Sequence, residues 1–137
     1  MATARILVAV ATGLLIAGCG GGSTFANRPR PPTVVDLTVN VTNQRVMVSP
    51  ASVGLGPLEV FVTNEASRTA TLMLLEPHGG VLADTGPLNP QSTAHFTVAP
   101  KTRGTYALTA GARSGIRPAS LSIGPPRGSG DSALLEP

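Results

Sequence analysis

The chain has 137 residues, enough for one domain. Apolar residues make up 42% of it but aromatics only 3%, so Val, Leu, Ile and Ala must build the core, and 12% charge is too little to hold a chain disordered by repulsion. The net charge of +3 comes from scattered basic residues rather than a clustered face with interleaved aromatics, which excludes nucleic acid as the expected partner, and a single cysteine excludes an intrachain disulfide.

The first element is a leader. Arg5 precedes an apolar run over residues 6–17, and that run ends in "GCGGGST". A membrane-spanning helix needs roughly 20 apolar residues, so this shorter run reads as a secretory signal. Its end is more specific. Ile16-Ala17-Gly18-Cys19 resembles the lipobox of bacterial lipoproteins: an aliphatic residue, two small ones, then Cys. The resemblance implies a diacylglyceryl group on the Cys19 thiol, cleavage before Cys19, and a domain anchored at the extracytoplasmic face of a bacterial membrane. Two acyl chains suffice for such an anchor, at ~0.8 kcal/mol per buried methylene. The chain then divides into a signal peptide (1–18), a lipidated cysteine with a Gly/Pro tether (19–32), a folded domain (33–124) and a Gly/Pro-rich mobile tail (125–137).

From Thr33 the hydrophobic period becomes two. In "TVVDLTVNV", Val35, Leu37, Val39 and Val41 face one way and Asp36, Thr38 and Asn40 the other. "QRVMVSP" continues the alternation with Val46 and Val48. "PLEVFVTN" does so with Leu58, Val60 and Val62, and "TATLMLLEP" with Ala70, Leu72 and Leu74. "STAHFTVAP" sets Ala94, Phe96 and Val98 against His95 and Thr97. "GTYALTA" and "ASLSIG" supply Tyr106, Leu108, Leu121 and Ile123. Turn signals separate these runs, at 49–50, 54–57, 77–80, 86–87, 89–90 and 103–104. About seven short strands at this spacing predict an all-β, antiparallel Greek-key β-sandwich.

Several phrases carry a further resemblance. "VFVTNEASRTATLML" resembles the strand with V-x-N, the loop and the next strand of the cupredoxins. "GPLNPQSTAHFTVAPKTRGTYALTA" is similar to their Gly/Pro turn, strand and P-x-x-x-G-x-Y-x-L stretch. "GIRPASLSIG" resembles their closing phrase. The resemblance covers residues 46–124 and implies the fold, although an immunoglobulin-like topology offers similar strands and turns. The family's chemistry rests on two His, one Cys and usually one Met around copper. In this chain the first His position falls near Ala70 or Thr71, the Cys position on Ala110 and the Met position on Ile116, with no His between 110 and 115. The resemblance therefore implies no blue-copper site here, and no cofactor is expected.

Other chemistry has little to stand on. His78 lies in the turn "EPHGG" and His95 on the polar face of a strand, without H-x-H or H-x-x-x-H spacing. The metal-handling alternative would need these two with Glu76, Met47 or Met73 in an unconventional zinc or copper site. No Gly-x-Ser-x-Gly or other nucleophile motif occurs, so no enzyme is expected. The expected role is binding or assembly at the cell envelope, through the loops 65–69, 76–84 and 110–117. In a cupredoxin frame the first and third share one end. There Arg68, Arg113 and Arg117 would form a cationic rim for an envelope protein, a lipid or an anionic polymer.

Overall fold

The computed structural model describes residues 31–111 and 113–128. Cys19 and the preceding Ile16, Ala17 and Gly18 lie outside the described residues, as does the end of the chain from 129 onward. The described chain folds as nine strands: β1 (Val35–Val41), β2 (Val46–Ser49), β3 (Ser52–Leu55), β4 (Leu58–Asn64), β5 (Met73–Leu75), β6 (Val81–Asp84), β7 (Thr93–Val98), β8 (Gly104–Thr109) and β9 (Ala119–Pro126).

They form two sheets, ordered β2-β1-β4-β7 and β3-β9-β8-β5-β6. The sandwich follows from the alternation. Leu37, Val39, Val41, Leu58, Val60 and Val62 point inward from the first sheet. Leu72, Leu74, Tyr106, Leu108, Leu121 and Ile123 meet them from the second, and all twelve are buried. Each such side chain contributes ~1.5–3 kcal/mol of hydrophobic stabilisation. The tyrosine completes its burial with a bond. Its hydroxyl donates to the Thr102 carbonyl at 2.9 Å and lies 3.1 Å from the Thr102 hydroxyl, a tyrosine corner that closes the β7–β8 turn.

Two pairings are parallel, β1 with β4 and β3 with β9; the rest are antiparallel. The strands run between two poles. At the basal pole lie the start of β1, the β3–β4, β5–β6 and β7–β8 turns and the end of β9. At the distal pole lie the connections 42–45, 65–72, 85–92 and 110–118. The chain switches sheets between β2 and β3, at Pro50, which has no N–H to continue a ladder.

The β-sandwich stands, and the structure corrects the sequence reading in four places. Its sheets are mixed rather than wholly antiparallel, since β1–β4 and β3–β9 run parallel. Nine strands replace the expected seven, because SVGL (β3) and VLAD (β6) also pair. The segment 76–84, read as one loop, is a tight turn followed by β6: Gly79 N–H donates to Glu76 O at 2.9 Å, and Glu76 N–H to Gly80 O at 2.7 Å. The folded part also runs past residue 124. β9 continues to Pro126, and its prolines are tolerated because the β8 ladder ends at Ile123, leaving only β3 beside them.

Arg127 then locks the end of β9. Its N–H donates to Leu55 O at 3.0 Å, and its guanidinium donates to Thr33 O at 2.8 Å and Pro57 O at 2.7 Å. The side chain lies over Gly54 and Gly56. A Cβ on Gly54 would stand 2.5 Å from Arg127 Cγ and 2.9 Å from Pro125 O, so glycine is required for this close approach.

Candidate functional site

The distal pole is organised by Asn64, the last residue of β4 and fully buried. A buried amide must be hydrogen-bonded, and this one is. Its Nδ2 donates to Arg68 O at 2.9 Å and Leu88 O at 2.8 Å, and its Oδ1 accepts the Ala66 N–H at 3.0 Å. Its main chain joins Gln91 and Ser92: the Asn64 N–H donates to Ser92 O at 3.0 Å, and the Gln91 N–H donates to Asn64 O at 2.6 Å. One side chain thus fixes the course of the β4–β5 loop and ties it to the β6–β7 loop. The bridge Ala70↔Leu88 continues that tie.

The other two connections are fixed locally. In the β1–β2 turn the Thr42 hydroxyl donates to Arg45 O at 2.9 Å and accepts the Arg45 N–H at 3.1 Å. Asn43 Oδ1 accepts both the N–H of Ser67 at 2.9 Å and its hydroxyl at 3.0 Å, linking this turn to the β4–β5 loop. In the β8–β9 loop the Ser114 hydroxyl donates to Gly111 O at 2.7 Å and accepts the Ile116 N–H at 3.2 Å. Gly111 and Gly115 take φ of +100° and +71°, which favour glycine. Arg117 joins that loop to the first turn: its N–H donates to Gln44 O at 3.0 Å and its carbonyl accepts the Val46 N–H at 2.8 Å.

Between the loops 65–70 and 110–116 lies a cavity of about 400 Å³. Ala66, Ala70, Ala110 and Ile116 supply its apolar lining. Asn43, Ser67, Thr69 and Ser114 supply polar lining, together with the exposed Arg68 and Arg113. The structure therefore brings Arg68 and Arg113 to one cavity. Arg117 sits at the same pole but outside the lining, paired in a bridge with Arg45. A second, shallower depression adjoins it through Asn43 and is lined by Thr42, Gln44, Arg45, Met47 and Glu65. Four exposed guanidiniums thus gather at this pole, against the carboxylates of Glu65 and Asp84.

The positions that the cupredoxin resemblance assigns to metal ligands converge on this cavity. Ala70, Ala110 and Ile116 all line it, and none of these side chains carries a donor atom. The alternative metal ligands are spread out instead. His78 is exposed in the β5–β6 turn at the basal pole, on the five-stranded sheet. His95 is exposed on the four-stranded sheet, where it stacks on Phe61 with ring centroids 6.0 Å apart and planes at 26°. Met47 and Met73 also belong to different sheets. Among the described residues no three His, Cys, Asp or Glu side chains gather as a metal site would require. Of the loops expected to carry function, 65–69 and 110–117 meet, while 76–84 begins at the opposite pole.

Sequence reasoning missed Asn43 and the role of Asn64. Asn64 ends the clean alternation of "VFVTN", where a polar residue on the inward face is itself a signal. Asn43 carried only a turn signal.

No protein-family model matches the chain, and no curated protein matches it in sequence. Solved structures do match in fold. Dithionite-reduced auracyanin from Roseiflexus castenholzii aligns with TM-score 0.50 and 11% identity, over 70% of this chain and 100% of that one. Auracyanin B aligns with TM-score 0.51 and 14% identity, over 72% and 93%. A purple cupredoxin from Nitrosopumilus maritimus aligns with TM-score 0.45 and 20% identity, over 65% and 98%. At the identities of the two auracyanins the likeness shows the fold: a cupredoxin-like β-sandwich.

Proposed function

We propose that this is a copper-free, non-catalytic binding module, lipid-anchored through Cys19 at the extracytoplasmic face of a bacterial membrane, that takes an anionic partner at its distal pole. The observation that carries the reading is the cavity rimmed by Arg68 and Arg113. Guanidinium pairs with carboxylate and phosphate in planar, bidentate geometry, so a rim of exposed Arg suits an acidic partner. Arg117 and Arg45 extend the positive field beside it.

Three points support the rest. Blue copper needs a thiolate and imidazoles, and alanine and isoleucine at the corresponding positions offer neither. A hydroxyl nucleophile needs an adjacent base. Here the Ser67, Thr69 and Ser114 hydroxyls donate instead to Asn43 Oδ1, Asn89 Oδ1 and Gly111 O. Finally, Thr33 lies under Arg127 at the basal pole. A membrane anchor ahead of Thr33 attaches to the end opposite the cavity, which leaves the rim free to meet a partner.

The test uses the full chain in phosphatidylcholine nanodiscs with two acidic polymers, polyglutamate and polyglycerol phosphate. At least one is expected to bind in a salt-dependent way. Replacing Arg68, Arg113 and Arg117 together by Ala is expected to weaken it tenfold or more, and undiminished binding refutes the site. Cys19→Ser is expected to abolish incorporation of labelled fatty acid into the protein; incorporation that persists in the variant refutes the anchor.

A further inference from the structure

We infer that the distal cavity selects a hydroxylated anion, a polyol or sugar acid of the glycerol-phosphate type, rather than a bare anion. This rests on the reading of that pole as an anion-binding site and goes on to its ligand. The inference comes from the direction of each hydrogen bond around the cavity.

Ser67 Oγ donates to Asn43 Oδ1, and the Ser67 N–H on the same atom fixes that atom as the amide oxygen. Ser114 Oγ has a carbonyl partner, Gly111 O, so it too must donate. Thr69 Oγ1 donates to Asn89 Oδ1 at 3.2 Å. All three hydroxyl protons are therefore already used, and what these side chains offer a ligand is lone pairs. The charged donors in the lining are the guanidiniums of Arg68 and Arg113, which suit an acidic group, and Asn43 Nδ2 is a neutral donor beside them.

Such a wall matches a molecule with two parts. An acidic group, all acceptors, fits between the guanidiniums. Hydroxyls, which can donate, fit against Ser67, Thr69 and Ser114. The Ala110 side of the cavity then takes the carbon skeleton. A bare phosphate satisfies only the first part, and a neutral polyol only the second. The volume of about 400 Å³ lies at the small end of ligand cavities, which run from ~300 to ~1,000 Å³. It holds roughly a dozen non-hydrogen atoms at the ~30 Å³ share of a liquid water molecule. The same chemistry occurs in free polyol phosphates, in their polymers and in lipid headgroups. Thr33 lies at the pole opposite the cavity, but the tether 19–32 is long enough to bring either source within reach, and the phosphatidylglycerol arm of the test distinguishes them.

The test is calorimetric titration of the full chain in phosphatidylcholine nanodiscs with sn-glycerol 3-phosphate, inorganic phosphate and glycerol. Glycerol phosphate is expected to bind about tenfold tighter than phosphate, the gain from one or two extra hydrogen bonds. Glycerol alone is expected not to bind. Ser67→Ala should shrink that ratio toward one, Arg113→Ala should weaken both anions, and His78→Ala at the far pole should change neither. Equal affinity for phosphate and glycerol phosphate overturns the inference while leaving the arginine rim standing. Glycerol phosphate affinity that survives loss of both Arg68 and Arg113 refutes the rim as well. Competition from phosphatidylglycerol in the same nanodisc assigns the ligand to a lipid headgroup, and its absence assigns it to the free or polymer-borne form.

Discussion

Asn64→Asp is the most informative single change in this domain. It replaces one NH₂ by oxygen at nearly constant shape. The Oδ1 bond to the Ala66 N–H survives, but the donor to Arg68 O and Leu88 O becomes an acceptor facing two carbonyls at 2.9 and 2.8 Å. Protonated, the new carboxyl restores one of the two bonds, and the loss of the other costs ~1–3 kcal/mol. Ionised, it is a buried charge aimed at two carbonyl dipoles, so burial first and the carbonyls second raise its pKa above the ordinary ~3.9. An acid whose pKa is raised in the folded state stabilises below its unfolded pKa and loses that contribution as pH rises through the folded one. The variant should therefore lose a further ~1.4 kcal/mol per pH unit above about 4, until the folded pKa is passed. Fully buried carboxyls shift by up to ~3–5 units, so the total at neutral pH rivals the ~5–15 kcal/mol of a typical domain. The assay is urea unfolding of residues 27–137 from pH 4.5 to 8, followed by the fluorescence of Tyr106, the single Tyr in a chain without Trp. With a urea slope near ~1 kcal/mol/M, the midpoint should fall by about 1–3 M at pH 4.5 and further at pH 8. The reasoning fails if the variant unfolds within about 0.5 M of the parent and with the parent's pH dependence.

Three smaller changes test other parts. Tyr106→Phe removes the bond to Thr102 and should cost ~1 kcal/mol, a fall in Tm of about 4–8 °C; an unchanged Tm would deny the tyrosine corner a stabilising role. Gly54→Ala should destabilise by ~1–3 kcal/mol through its clash with Arg127 and Pro125 O, and Arg127→Ala should relieve part of that cost. Strict additivity of the two, instead of a coupling of ~0.5–3 kcal/mol, would mean that Arg127 does not lie over the glycines in solution. Phe61 is 42% exposed, and its one aromatic neighbour is His95. Phe61→Ser should therefore cost only ~1–2 kcal/mol, the share its partial burial and strand propensity supply, and a larger loss would reveal a covered face.

The sandwich was legible where alternation ran unbroken. β1, β4, β7, β8 and the first half of β9 all turn inward the residues that the period of two selects, fully buried in β4 and β8 and in part only half-buried in β1 and β7. The misses share a cause. β3 is four residues long, contains Gly54, and has its partner in β9, distant in sequence. β6 follows a turn with two glycines and leaves Val81 exposed at an edge. The Pro125-Pro126 pair argued against a strand, and only the register shows that no β8 neighbour is left there to need an N–H. Arg68 and Arg113 were legible as loop residues sharing one end through the resemblance to a known fold. The cavity between them was not, because its volume depends on how closely two loops approach. Asn64 and Asn43 fix the first loop through bonds to Leu88 O and the Ser67 N–H, and Arg117 ties the second to the β1–β2 turn.

The place of β1 has a mechanical meaning. Residue 33 leads into a strand that is interior to its sheet, bonded to β2 on one side and along its whole length to β4 on the other. A tug between that end and a partner gripped at the opposite pole runs parallel to the strands. The ladders flanking β1 then resist in shear, all rungs together, where a pull across the strands would unzip them one by one. Arg127, bridging Thr33 and Pro57, adds a buckle at the point where the load enters. With the proposed anchor at one pole and the proposed partner at the other, this pairing would let the domain carry tension between them.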